Sequence, residues 1–84
     1  MLTSGIDVGS CAVKFAVLRV YSDTDADVLV LRSDRIRRRD LRKVINEGYS
    51  AALEEARVQP QQIAYAASTG EGELVEFRRG HFMV

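Results

Sequence analysis

An α/β domain built on a mixed sheet, in the order β-β-β-α-β, is the fold class this sequence predicts. Three observations carry it. Extended apolar stretches at about 3–9, 12–21 and 27–36 follow one another with only short links. From Asp40 the spacing of apolar residues lengthens from a strand period to that of a helix. Beyond Pro60 a short apolar strand, Ile63 to Ser68, follows that helix. A strand reached through a helix is most economically a parallel partner in the same sheet.

The first strand places Ile6 and Val8 around Asp7 and ends in the turn Gly9-Ser10-Cys11. A carboxylate buried beside that turn would need a cation, a donor network or a ligand. The second strand is apolar on both faces, with Val13, Phe15 and Val17 on one and Ala12, Ala16, Leu18 and Val20 on the other. That pattern predicts a strand covered on both sides. Ser22 to Ala26 is short and polar, suiting a hairpin loop, and Asp27 to Arg32 returns antiparallel. In the helix Leu41, Val44, Ile45, Gly48, Tyr49, Ala52, Leu53 and Ala56 share one face, with Asp40 the expected N-cap and Arg57 near the end. Pro60 stops it. Thr69-Gly70-Glu71-Gly72-Glu73 then reads as a glycine-rich loop at the C-terminal end of the last strand, the edge where open α/β sheets bind ligands. Leu74 to Arg79 is expected to begin another helix.

Composition narrows the classes of function. An 84-residue chain buries only roughly 60–65% of its unfolded surface, so its core is modest. Its formal net charge is zero, which offers no general attraction to nucleic acid or to an anionic membrane. No run of about 18 apolar residues predicts a membrane-spanning helix, and MLTSGIDVG lacks the regions of a signal peptide. The single cysteine excludes an intrachain disulfide and any zinc or iron–sulfur site ligated by cysteines of this chain alone. A reducing, cytoplasmic compartment is the expectation. Gly80 to Val84 ends on an apolar run without a polar tail, whereas domains usually end at the surface. Residues 1–84 are therefore expected to be the N-terminal part of a larger domain, truncated at its C-terminus.

Four constellations carry possible chemistry. Asp7, Gly9, Ser10 and Lys14 combine a carboxylate for Mg²⁺, a glycine turn whose N–H groups can meet phosphate, and a cation for developing charge. The same residues also suit a plain hairpin turn with an exposed Asp7 and a snorkelling Lys14. Ser68 to Glu73 lets a backbone approach a phosphate closely, yet Glu71 and Glu73 would repel one without Mg²⁺ or arginine, and as a bare pattern it is more often a strand-to-helix turn than a phosphate loop. It lacks the third glycine of a dinucleotide fingerprint, and no P-loop motif occurs anywhere. Seven of the twelve basic residues fall between Arg32 and Lys43. Asp34 and Asp40 interrupt that run and no aromatic is interleaved for stacking, so it reads as a solvated strand end and helix entry or a subunit contact. Cys11 occupies a turn governed by its backbone, and His81 has no ligand or carboxylate at catalytic spacing.

The stretch G-I-D-V-G-S-C-A-V-K-F-A-V-L resembles the first phosphate-binding hairpin of the acetate and sugar kinase, Hsc70 and actin superfamily. S-D-R-I-R-R-R-D, N-E-G-Y-S-A-A-L-E-E-A, and Y-A-A-S-T-G-E-G-E followed by G-H-F resemble one branch of it. That branch comprises the ATPase subunits of benzoyl-CoA reductase, D-type above all, and the activators of 2-hydroxyacyl-CoA dehydratases. The resemblance implies the N-terminal part of an RNase H-like, actin-like ATPase domain. It also implies ATP hydrolysis coupled to low-potential electron transfer from an iron–sulfur cluster to an enzyme acting on an acyl-CoA. Asp7 would then be the catalytic residue serving Mg²⁺, directly or through water. Gly9, Ser10 and Cys11 would cradle the ATP phosphates, Lys14 would lie near the γ-phosphate, and Thr69, Gly70, Glu71 and Gly72 would line the nucleotide. A [4Fe-4S] cluster would be ligated outside this chain, because Cys11 is misplaced for it. A homologous ATPase subunit, forming a dimer, and an acyl-CoA reductase or dehydratase component are the implied partners. A sugar or acyl kinase of the same superfamily, and a non-catalytic interaction module acting through Arg35 to Lys43, remain the alternatives.

Overall fold

The computed structural model describes residues 1–70 and 81–83. Its strands are β1 (Leu2–Val8), β2 (Ala12–Ser22), β3 (Asp25–Arg35), β4 (Ile63–Gly70) and β5 (His81–Met83); the helix α1 (Leu41–Ala56) and a 3₁₀ turn (Pro60–Gln62) lie between β3 and β4. They form one mixed sheet in the order β3-β2-β1-β4-β5. β1, β2 and β3 pair antiparallel, whereas β1 with β4 and β4 with β5 pair parallel. The C-terminal ends of β1, β3 and β4 consequently share one edge of the sheet.

One face of the sheet packs on α1. Period two puts Ile6 and Val8 of β1, Val13, Phe15 and Val17 of β2, Val30 of β3 and Ala66 of β4 in the core with Val44, Ile45, Tyr49, Ala52 and Leu53 of the helix. Burying each large apolar side chain contributes about 1.5–3 kcal/mol, which is what holds so short a helix in place. Gly48 lets the helix approach: a Cβ there would lie 2.3 Å from Phe15 Cε2 and 2.6 Å from Asp34 Oδ2. Inside this layer Ser4 Oγ and the Tyr49 hydroxyl are hydrogen-bonded at 2.8 Å. At its rim Arg32 of β3 donates to Asp34 at 2.9 Å and to Glu55 of α1 at 2.7 Å, tying strand to helix.

Asp40 caps α1 as expected, its Oδ1 accepting from the Arg42 N–H at 3.0 Å. At the other end Arg57 adopts a left-handed conformation, φ 58°, and its N–H returns to Glu54 O.

Four expectations differ from the structure. Among the described residues only one face of β2 is covered; the other, carrying Ala12, Ala16, Leu18 and Val20, is half-exposed, and Leu31 beside Ala16 is 76% exposed. The hairpin loop shrinks to Asp23-Thr24, because β2 and β3 keep pairing through polar residues to Ser22 and Asp25. β4 runs on through Thr69 to Gly70, since pairing with Asp7 and Val8 of β1 overrides the turn propensity of Thr-Gly. Finally, 81–83 form a fifth strand, in register with Ala66 to Ser68. The helix expected from Leu74 to Arg79 lies outside the described residues.

Candidate functional site

The sheet register brings three of the expected residues into one row. Asp7 on β1 stands opposite Lys14 on β2 and opposite Thr69 on β4. Adjacent strands lie about 4.8 Å apart, so the three side chains are neighbours on the face away from α1. Thr69 Oγ1 donates to Asp7 Oδ1 at 2.6 Å, a short bond of the kind a charged acceptor makes. Lys14 is exposed and makes no ion pair among the described residues. Gly5, Ala16, Leu31 and Ala67 complete the walls of a shallow depression of about 260 Å³ over this row.

Asp7 is exposed, contrary to the buried carboxylate expected from its apolar neighbours. Ile6 and Val8 share the core face, so alternation turns Asp7 to the other face, which no described element covers. Its charge therefore needs no compensating cation for the fold to tolerate it. What the carboxylate has instead is an orienting hydrogen bond to Oδ1, while Oδ2 takes no hydrogen bond among the described residues.

The turn follows directly. The Gly9 N–H donates to Ala12 O at 3.0 Å and closes the hairpin, and a Cβ on Gly9 would meet that same oxygen at 3.1 Å. Gly9 is thus the closing residue of the turn, while Ser10 and Cys11 project from it, both exposed. No loop hydrogen bond among the described residues takes up the N–H of either. The Ser10 hydroxyl lies 3.7 Å from the Cys11 thiol. Gly70 ends β4 opposite Val8, at the same edge. Glu71 and Gly72 lie outside the described residues.

A single exposed carboxylate with a bound hydroxyl fits Mg²⁺, which takes one or two carboxylates and fills its octahedron with water and phosphate oxygens. No group of three or more potential metal-ligating His, Cys, Asp or Glu occurs among the described residues. An iron–sulfur cluster does not fit, because Cys11 is the single cysteine of the sequence.

Sequence reasoning missed a second feature at this edge. Arg39 N–H donates to Ile36 O at 2.9 Å, closing a turn in which Arg37 and Arg38 both have positive φ, 48° and 64°. A turn with two left-handed central residues favours Asn-Gly, and each L-residue with a Cβ costs about 1–2 kcal/mol there. The Arg39 guanidinium donates to the carbonyls of Ile36 and Arg35, bracing the turn. The Ile36 N–H in turn donates to Cys11 O at 2.9 Å, so the arginine turn is fastened to the Gly9–Cys11 turn. Only the density of arginine in R-I-R-R-R hinted at it.

Comparison with solved structures places this architecture. Component A of the (R)-2-hydroxyglutaryl-CoA dehydratase of Acidaminococcus fermentans matches 99% of this chain with 30% of its own, at 23% identity and a TM-score of 0.68. The activator of the 2-hydroxyisocaproyl-CoA dehydratase from Clostridium difficile, solved with bound ADPNP, matches all of it with 29% of its own, at 17% identity and 0.66. The Ppx/GppA phosphatase of Aquifex aeolicus follows at 13% identity and 0.54, over 100% of this chain and 35% of its own. The class is therefore the actin-like ATPase fold, with its first hairpin and parallel return strand in place.

Sequence narrows that class. Over 81 residues, 96% of its length, the chain is 46% identical to the D-type subunit of benzoyl-CoA reductase from Thauera aromatica. No family model matches. The resemblance read from the hairpin and the T-G-E-G-E and G-H-F segments holds, since nearly the whole of this chain is similar to the N-terminal part of that D-type subunit. It spans 28% of the length of that curated relative.

Proposed function

We propose that this chain is the first phosphate-binding lobe of an ATP-hydrolysing activator subunit serving a benzoyl-CoA reductase or 2-hydroxyacyl-CoA dehydratase type partner. The row Lys14–Asp7–Thr69 beside the Gly9 turn is the observation that carries this reading. Asp7 would hold Mg²⁺ or a water of its shell through its free oxygen. Thr69 would keep the carboxylate in one orientation. Lys14 would face the terminal phosphate, and the N–H groups of Ser10 and Cys11 would receive phosphate oxygens, with Gly9 shaping the turn. Gly70, Glu71 and Gly72 would continue the wall on the β4 side. Mg²⁺ bound there supplies charge neutralisation as the phosphoryl group is transferred to water.

In this reading the [4Fe-4S] cluster, the remaining nucleotide contacts and the homologous subunit of the dimer lie outside residues 1–84, and the assembly works in the cytoplasm. The bound ADPNP of the Clostridium difficile activator supports a nucleotide ligand, and the 46% identity to a benzoyl-CoA reductase component supports the acyl-CoA partner.

The test replaces the matching segment of the Thauera aromatica protein with this chain and follows ATP hydrolysis by the chimera. The chimera is expected to hydrolyse Mg-ATP and its Asp7→Ala form to lose that activity. A folded chimera whose hydrolysis survives Asp7→Ala unchanged would sink the proposal.

A further inference from the structure

We infer that the arginine turn at Ile36–Arg39 is a docking site for a carboxylate-rich segment of a partner protein, an inference that does not rest on the nucleotide reading. Three observations converge on it. The turn holds Arg37 and Arg38 at φ 48° and 64°, where Asn and Gly would sit without cost, so its sequence departs from what the backbone favours. Its cations are also divided in a telling way. Arg32 is occupied by Asp34 and Glu55, Lys43 lies 3.9 Å from Glu47, and Arg39 braces carbonyls. The guanidinium groups of Arg35, Arg37 and Arg38 make no hydrogen bond or ion pair among the described residues. Finally, a depression of about 540 Å³ opens here, and Arg32, Arg35, Arg37 and Arg39 line it.

The chemistry of that lining selects the occupant. Val44 is its one apolar residue and no aromatic lines it, so it offers nothing to the organic body of a small molecule. Nucleic acid is disfavoured by the same lack of stacking surface, on which bases would need to rest. Unpaired guanidinium forks on an exposed turn match carboxylates in bidentate geometry, and arginine is enriched where proteins meet. The bond from Ile36 N–H to Cys11 O puts this surface next to the Gly9–Cys11 turn, so a docked segment would lie beside it.

The experiment titrates the isotope-labelled chain with an oligoglutamate peptide, with pyrophosphate and with a single-stranded oligonucleotide, and maps amide shifts. Oligoglutamate is expected to shift Arg35 to Arg39 and Cys11, with affinity falling about tenfold or more from low to physiological salt. The double variant Arg37→Asn, Arg38→Gly suits the turn better than the native pair, so it is expected to fold with a higher melting temperature and to lose peptide binding. Arg35→Gln gives a second loss that leaves the turn untouched. Absence of peptide binding, shifts centred elsewhere, binding unchanged in both variants, or tighter binding of pyrophosphate or the oligonucleotide would each overturn the assignment.

Discussion

Gly48→Ala tests how the helix is seated, and its sign is not the one helix propensity gives. In an exposed helix interior the exchange stabilises by about 1 kcal/mol. At Gly48 the new Cβ would stand 2.3 and 2.4 Å from Phe15 Cε2 and Cζ and 2.6 Å from Asp34 Oδ2, distances no Cβ tolerates. Neither neighbour can step aside cheaply. Phe15 is 2% exposed and packed into the core, and Asp34 is held by two bonds from Arg32 Nε at 2.9 and 3.1 Å. Overpacking of this kind costs about 1–3 kcal/mol, here toward the upper end because two elements must separate. Subtracting the propensity gain leaves a net loss of about 2 kcal/mol. For a domain of this size that lowers the melting temperature by about 8–16 °C. Thermal unfolding followed by circular dichroism reads it directly, with Ser50→Ala on the exposed face of the same helix as a control expected to stay within about 0.5 kcal/mol. A Gly48→Ala protein that melts at or above the native temperature would refute the packing argument.

Burial raises the Tyr49 pKa above its ordinary 10.0, with the Ser4 hydrogen bond opposing it more weakly. A folded pKa above the unfolded one gives stability that is complete below pH 10.0 and is lost as pH rises toward the folded value; urea midpoints should therefore fall in alkali, and fall less in Tyr49→Phe. Tyr49→Phe should also cost about 1 kcal/mol near neutrality, because Ser4 Oγ loses its partner while 5% exposed. Thr69→Val in the chimera should reduce Mg²⁺-dependent hydrolysis by about 10–100-fold, the usual effect of removing a group that orients a metal-site carboxylate; a wild-type rate would show that Asp7 needs no such guide.

The helix was legible, to the residue at its N-terminus and within a residue at its end, because two independent signals agreed. Asp40 offered a cap, and Val44, Ile45, Gly48, Tyr49, Ala52 and Leu53 kept one periodic face, all of them buried. The element order β-β-β-α-β followed from the same reasoning, with the proline stop forcing a new element. β5 escaped because its three residues, His81 to Met83, are too few to show alternation. The length of β4 escaped because Thr69-Gly70 spells a turn locally, and only the register with β1 overrides it. Asp7 shows the limit for the site. Its place beside the glycine turn was readable, but its exposure depended on whether the second face of β2 was covered. The Arg37–Arg38 turn was hidden for the opposite reason, since nothing in two arginines announces positive φ.

The exposure of Asp7 and the open second face are one fact with a chemical consequence. Lys14, Asp7 and Thr69 stand on the same surface as Ala16 and the 76%-exposed Leu31. Two unit charges about 4 Å apart interact by about 1 kcal/mol in water but by about 4 kcal/mol at the effective dielectric of a protein surface pair. In the proposed reading, a phosphate facing Lys14 on this open sheet would sit nearer the weaker limit, and an element laid over Leu31 and Ala16 would move that pair toward the stronger one. Covering the apolar surface and strengthening the charged row are the same event. The sheet fixes where Asp7, Lys14 and Thr69 stand relative to one another, and burial of the surface around them would set how strongly Lys14 attracts a phosphate.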